Sequence, residues 1–226
     1  MDESKVPSRG DQTRQALLQA AIEIFGRDGF HAASTRAIAT EAGANQALIG
    51  YHFGGKRALY LAAFESIAEQ VGARMQPVMA SVSEQISSLD ADAEDCIPVS
   101  VECMLTMFSA ALDLFGKASS SPWVRLIMRE QMDPNQGIEI LYGGIFGVML
   151  NLLTRLVALA SGGDESQEAV RLQAIMLLGE MLIFITARGT LRQHMGWEKL
   201  EAPQLAAIKR QIQVQLHRYF DLELNQ

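Results

Sequence analysis

The chain has 226 residues, 49% hydrophobic and only 7% aromatic, with 19 Lys and Arg against 26 Asp and Glu for a net charge of −7. That length holds one large domain or two small ones around a real core. No Rossmann or P-loop glycine signature, HExxH pair, serine elbow or kinase set is present, so the common nucleotide, zinc-hydrolase and acyl-transfer chemistries are excluded and no metal or cofactor is called for. The polar N-terminus carries no signal-peptide core, and two Cys make no disulfide framework. The longest nearly uncharged run, Leu172 to Ala187, holds Glu180 in its middle and reads as short of a membrane span. These features predict a cytoplasmic protein with no membrane partner.

Low aromatic content, 11 Met and few β-branched runs favour helices, and the periodicity carries this through the chain. Residues 1–10 read as a disordered tail. A first helix is expected from about Asp11 to Arg27, with Leu17, Leu18, Ala21, Ile24 and Phe25 on one face and a stop at Asp28-Gly29. Thr35 to Phe53 reads as two short helices joined at Gly43, the pattern of a helix-turn-helix. Thr35 suits the first N-cap and Asn45 the second, while Gly43 takes the positive φ that ends the first helix. A fourth helix starts near Gly55-Lys56 and runs through Leu59, Phe64, Ile67 and Val71, with a kink or break expected at Pro77. Ser87 to Asp95 reads as an acidic loop. Further helices are expected from Pro98 through Phe115, from Pro122 to Met132, from Asn135 to Ala160, from Glu165 to Arg188 and from Pro203 to Leu222. The fold class is therefore all-α: an N-terminal helix-turn-helix domain at 1–75 and a larger helical bundle at 76–226.

Net negative charge argues against a nucleic-acid partner until its distribution is read. Residues 1–75 carry eight basic and eight acidic residues, whereas 76–226 carry 11 against 18. A small module need only concentrate positive charge on the face that meets phosphate.

Helix, helix-turn-helix and then Tyr51-His52-Phe53-Gly54-Gly55-Lys56 opening a fourth helix resemble the TetR family of transcriptional repressors over residues 11 to 64. Arg129-Glu130-Gln131-Met132-Asp133-Pro134, the long apolar helix after it and Gly179-Glu180 resemble the CecR-like branch. The resemblance implies a homodimer, a palindromic double-stranded operator and a small-molecule effector that releases DNA. It also implies roles for single residues. Thr35 and Lys56 fall where family members clamp phosphates. Arg36 and Gln46 fall where base edges are reached, Arg suiting guanine and Gln adenine, with Asn45 and Ala47 beside them. Tyr51 and His52 match the aromatic end of the recognition helix. Gly50 and Gly54-Gly55 depart from the family's usual Tyr and Pro-Ser.

In the C-terminal part, charge interrupts apolar runs at Glu102, Arg129, Glu130 and Glu180. These points suggest an apolar effector pocket from Met104, Phe108, Trp123, Met128, Arg129, Phe146, Glu180 and Phe184, suited to an amphipathic or aromatic molecule. A structural ion pair of Arg129 with Glu130 or Glu180 is the plainer alternative for those charges. The competing class is an all-α enzyme using Arg129 and Glu130, or a small-molecule-binding protein that uses the apolar C-terminal pocket without binding DNA. The last two long helices are expected to pair with their symmetry mates as a four-helix bundle. Cys96 and Cys103, about 10 Å apart along a helix, are too far for an internal disulfide and leave a switch between subunits open.

Overall fold

The computed structural model describes residues 8–87, 89, 93–116 and 122–222. Among these there are eleven α-helices and no strand. The expected tail at 1–7 and part of the acidic loop, residues 88 and 90–92, lie outside the described residues.

Helix α1 spans Arg9–Ala32 and begins earlier than its periodicity suggests. Ser8 and Asp11 form a reciprocal capping box, so Arg9 and Gly10 are helical rather than tail. Its apolar stripe, Leu17, Leu18, Ala21, Ile24 and Phe25, is buried, and Gly29 breaks it at φ 81°. Helices α2 (Thr35–Glu41) and α3 (Ala47–Phe53) follow, then α4 (Lys56–Ser87). Pro77 does not break α4. Proline removes the N–H that would reach the carbonyl of Ala73, but positions 73 and 77 are both exposed, so the freed carbonyl is open to solvent rather than buried.

Next come α5 (Cys96–Ala111), α6 (Pro122–Met132) and α7 (Gly137–Leu141). The long helix expected from Asn135 to Ala160 is interrupted. A π-helical turn at Tyr142–Phe146 contains Gly144 at φ −87°, ψ −119°, and α8 starts only at Gly147, running to Ser161. Adjacent Gly143 and Gly144 carry no side chains to hold the helix through this point. Helices α9 (Glu168–Thr186), α10 (Arg188–Met195) and α11 (Ala202–Tyr219) complete the order.

By contacts the chain forms two units. One is Met1–Glu69 with Ser120–Tyr142, so α6 and α7, from the middle of the chain, join the helix-turn-helix, with α6 packed on α1 and α7 on α6. The other is Gln70–Ser119 with Gly143–Gln226, where α5 packs on α8 and α11, and α8 on α9.

The expectation that no segment is long enough to span a membrane is corrected. Cys96–Gly116, Gly137–Ser161 and Glu168–Thr186 are each long and apolar enough by length and composition. Bundle helices that bury broad faces acquire this character. Burial is lowest for the α9 window, at 28%.

Candidate nucleic-acid interface

Ser34, not Thr35, caps α2: its side chain accepts from the amide of Ala37 at 3.0 Å. Of the adjacent hydroxyls, the Ser34 one reaches back to the helix, which frees that of Thr35. Gly43, at φ 61°, then ends the helix as expected, with the Ala44 amide donating to the carbonyl of Ala39 at 2.9 Å. The N-cap of α3 is Gln46 rather than Asn45, and it makes no side-chain capping bond; Asn45, one residue earlier, accepts the Ala47 amide on its Oδ1 at 2.9 Å in a turn that leads into the helix. Ile38, Ala39 and Ile49 are buried and hold the two helices together, whereas Leu48 is half-buried.

Several of the residues singled out for DNA are exposed on this pair. Gln46 Nε2 donates to Thr35 Oγ1 at 2.8 Å, bringing the starts of α2 and α3 together. Arg36, Asn45, Gln46 and Ala47 are exposed, and Tyr51 is 82% exposed at the far end of α3. His52 is half-buried, its ring edge-on to Tyr51 at 4.9 Å and to Phe53 at 6.3 Å. Gly50 is exposed with open space where a Cβ would stand, so the glycine answers no steric demand. Gly54 (φ 79°) and Gly55 (φ 135°) turn the chain from α3 into α4, a geometry Pro-Ser would not adopt.

Lys56 opens α4, where a cation opposes the helix dipole. Two contacts offset this. Its ammonium donates to the carbonyl of His31 at 3.3 Å and lies 4.8 Å from the centre of the Phe30 ring. The same contacts hold the charge beside the helix-turn-helix.

The residues suggested for an effector pocket divide between the units. Trp123, Met128 and Arg129 belong to the α1–α4 unit, and Met104, Phe108, Phe146, Glu180 and Phe184 to the bundle. In the bundle, Met104 and Phe108 are buried, Phe146 stacks edge-on against Phe115 at 6.5 Å, and Glu180 is exposed. A groove of about 650 Å³ lies along α5 and α11, where Leu105, Phe108 and Leu112 meet Glu102, Asp113 and Lys209. Phe108 is the one expected pocket residue that lines it.

Arg129 and Glu130 act otherwise than expected. Among the described residues no ion pair joins Arg129 to Glu130 or Glu180. Arg129 donates to the carbonyls of Gly26 (3.0 Å) and Arg27 (2.6 Å) beside the Gly29 break. Glu130 is fully buried and accepts from Tyr60 and three backbone amides. Sequence periodicity cannot show such a site, because its donors come from α4 and from the turn after α6. Both thiols are buried; burial, then the nearby Glu102 charge, pushes Cys103 up, which makes it a poor thiolate for a switch between subunits.

A capped helix pair with polar groups on its outer surface, a cation at the start of the next helix and a separate bundle define a helix-turn-helix transcription regulator. Residues 17–63 match the family described as bacterial regulatory proteins, tetR family, and residues 102–220 match the C-terminal domain of the HTH-type transcriptional dual regulator CecR. The chain belongs to the TetR family of transcriptional regulators, in the branch with the CecR C-terminal domain. It is 28% identical to the HTH-type transcriptional dual regulator CecR of Shigella flexneri over 94% of this chain and 93% of that one. Over 62 residues, 27% of this chain and 29% of the relative, it is 47% identical to the regulatory protein RaaS of Mycobacterium tuberculosis. A TetR-family regulator from Mesorhizobium loti shares the fold at a TM-score of 0.58 and 17% identity, covering 95% of this chain and 98% of that one. Bacillus subtilis FadR, solved with stearoyl-CoA, does so at 0.56 and 17%, covering 89% and 96%. Members of this family are regulators rather than enzymes, which overturns the enzyme reading of Arg129 and Glu130.

Proposed function

We propose that this ligand-responsive regulator is a cytoplasmic homodimeric repressor, binding a palindromic operator through residues 1–75 and released when a small amphipathic molecule binds within 76–226. The observation that carries the DNA reading is the Gln46–Thr35 hydrogen bond that joins the starts of α2 and α3, with Arg36, Gln46 and Tyr51 exposed on that pair and Lys56 opening the next helix. Thr35, Tyr51, His52 and Lys56 take phosphates; Arg36 and Gln46, flanked by Asn45 and Ala47, take base edges.

Pairing is supported by α9. Leu172, Ile175, Met176 and Ile183 form a helical stripe with each side chain 52 to 61% exposed, and Gly179 lies within it with open space above. The stripe of α11 serves its own unit instead, with Leu205, Ile208, Ile212 and Leu216 buried. The exposed apolar surface offered to a second copy is thus mainly that of α9. For release, the effector must bind the DNA-incompetent conformer better, shifting the helix that starts at Lys56. Met104, Phe108, Phe146 and Phe184 in the bundle, with the polar edge of the α5–α11 groove, suit a molecule with one apolar and one polar end.

The test is DNA affinity across salt. Lys56→Ala weakens binding to every duplex and lowers the salt slope by about 1. Gln46→Ala instead changes the ranking among variants of a preferred sequence. If Lys56→Ala leaves the slope intact, or Gln46→Ala leaves the ranking intact, the corresponding contact is misassigned.

A further inference from the structure

The α1–α4 unit contains a buried charge that none of the proposed DNA contacts uses. Glu130, on α6, is 0% exposed. Its Oε1 accepts from the amides of Asn135 (2.7 Å), Gly137 (2.5 Å) and Ile138 (3.2 Å), and its Oε2 from the hydroxyl of Tyr60 on α4 (2.5 Å). Arg57 donates to Gln136 Oε1 at 2.6 Å in the same turn, with Gln136 held at φ 78°. Gly137 lies so close to α4 that a Cβ there would stand 2.5 Å from the Phe64 ring. Arg57, Tyr60 and Phe64 are spaced i, i+3 and i+7, a single stripe on the first three turns of α4. Lys56 is the first residue of that helix.

The other side of α6 holds α1. Arg125 meets Glu23 at 2.6 Å, and Arg129 meets the carbonyls of Gly26 and Arg27. Gly26 permits the approach, since a Cβ there would come 2.8 Å from the carbonyl of Pro122. One short segment therefore grips the end of α1 and the start of α4, which flank the helix-turn-helix in sequence.

We propose that the α6–α7 turn is a positioning element for DNA binding, with Glu130 acting through Tyr60 to fix the start of α4 and with it Lys56. This rests on reading the α1–α4 unit as the DNA-binding one. The energetics are those of a fully satisfied buried carboxylate. Remove one donor and the group is left underbonded where water does not reach, so the turn loosens toward solvent and releases α4. A segment inside the CecR-like C-terminal match is thereby part of the DNA-binding apparatus.

The experiment compares the full chain with its Tyr60→Phe, Glu130→Gln and Glu130→Ala variants, each well below its own melting temperature. Duplex affinity at fixed salt is one readout; hydrogen exchange of the amides of Leu59 to Phe64 in the free protein is the other. Tyr60→Phe and Glu130→Ala are expected to lose about tenfold in affinity, with faster exchange confined to the start of α4 and the 135–138 turn. Glu130→Gln, which keeps an acceptor for the backbone amides, recovers most of the loss. Unchanged affinity in folded variants that only melt earlier would overturn the proposal and leave a structural cap. Should Glu130→Ala not fold, Tyr60→Phe decides alone. Exchange needs no DNA: wild-type protein that binds no duplex would count against the DNA reading, whereas local loosening without lost affinity would count against the positioning role.

Discussion

Tyr60 shows how much one hydroxyl can hold. Burial first, then its hydrogen bond to Glu130, raises the phenol well above its ordinary value of 10.0. A raised pKa favours the protonated form in the fold, so this stabilisation is complete below about pH 10 and lost as the pH rises beyond it. Denaturant unfolding between about pH 9 and 11.5 is therefore expected to show a Tyr60 contribution of up to about 1.4 kcal/mol per pH unit above 10, absent in Tyr60→Phe. Equal slopes in both proteins would mean that the phenol ionises freely in the native state. Nothing in the sequence marks Tyr60 or Glu130 as partners, because they are 70 residues apart and each has an ordinary helical neighbourhood. Single-residue readings succeed where the cause is local, as at Gly43. They miss Ser34 because two adjacent hydroxyls suit the same cap, and only backbone direction chooses between them.

At the scale of elements, apolar period and glycine position were legible for α1, α2, α3, α6 and α11. The misses have physical causes. Pro77 suggests a break but lies on an exposed stripe where the freed carbonyl is open to solvent. Gly143 and Gly144 sit within an apolar run whose composition hides the π-helical turn. Helix α10 has eight residues, is mostly polar and buries none of them, so little apolar content marks it apart from the helix before it. Helix α3 shows how element stability and DNA reading separate. Gly50 is exposed, lies inside the helix and has open space around it. Gly50→Ala is expected to raise stability by about 1 kcal/mol through helix propensity alone. A thermal unfolding curve checks this; a lower melting temperature would mean that Gly50 answers a constraint absent from the folded chain.

For the whole molecule, charge and apolar surface assign different tasks to different parts. Acidic excess lies beyond residue 75, while Arg36 stands in the helix-turn-helix and Lys56 and Arg57 open the helix after it. The sequence showed this division of charge, but not that residues 122–142 join the N-terminal unit, because that packing depends on long-range contacts of α6 to α1. A second copy docked on the α9 stripe would present two recognition helices, for which B-DNA offers successive major grooves about 34 to 36 Å apart. Selection of bound sequences from a random duplex library by the purified wild-type chain, at near-physiological salt, tests that claim most directly. The account predicts one palindromic motif whose half-sites are about one helical turn apart, or somewhat more. A single unpaired half-site, or no enrichment even after refolding to strip any bound ligand, would contradict it.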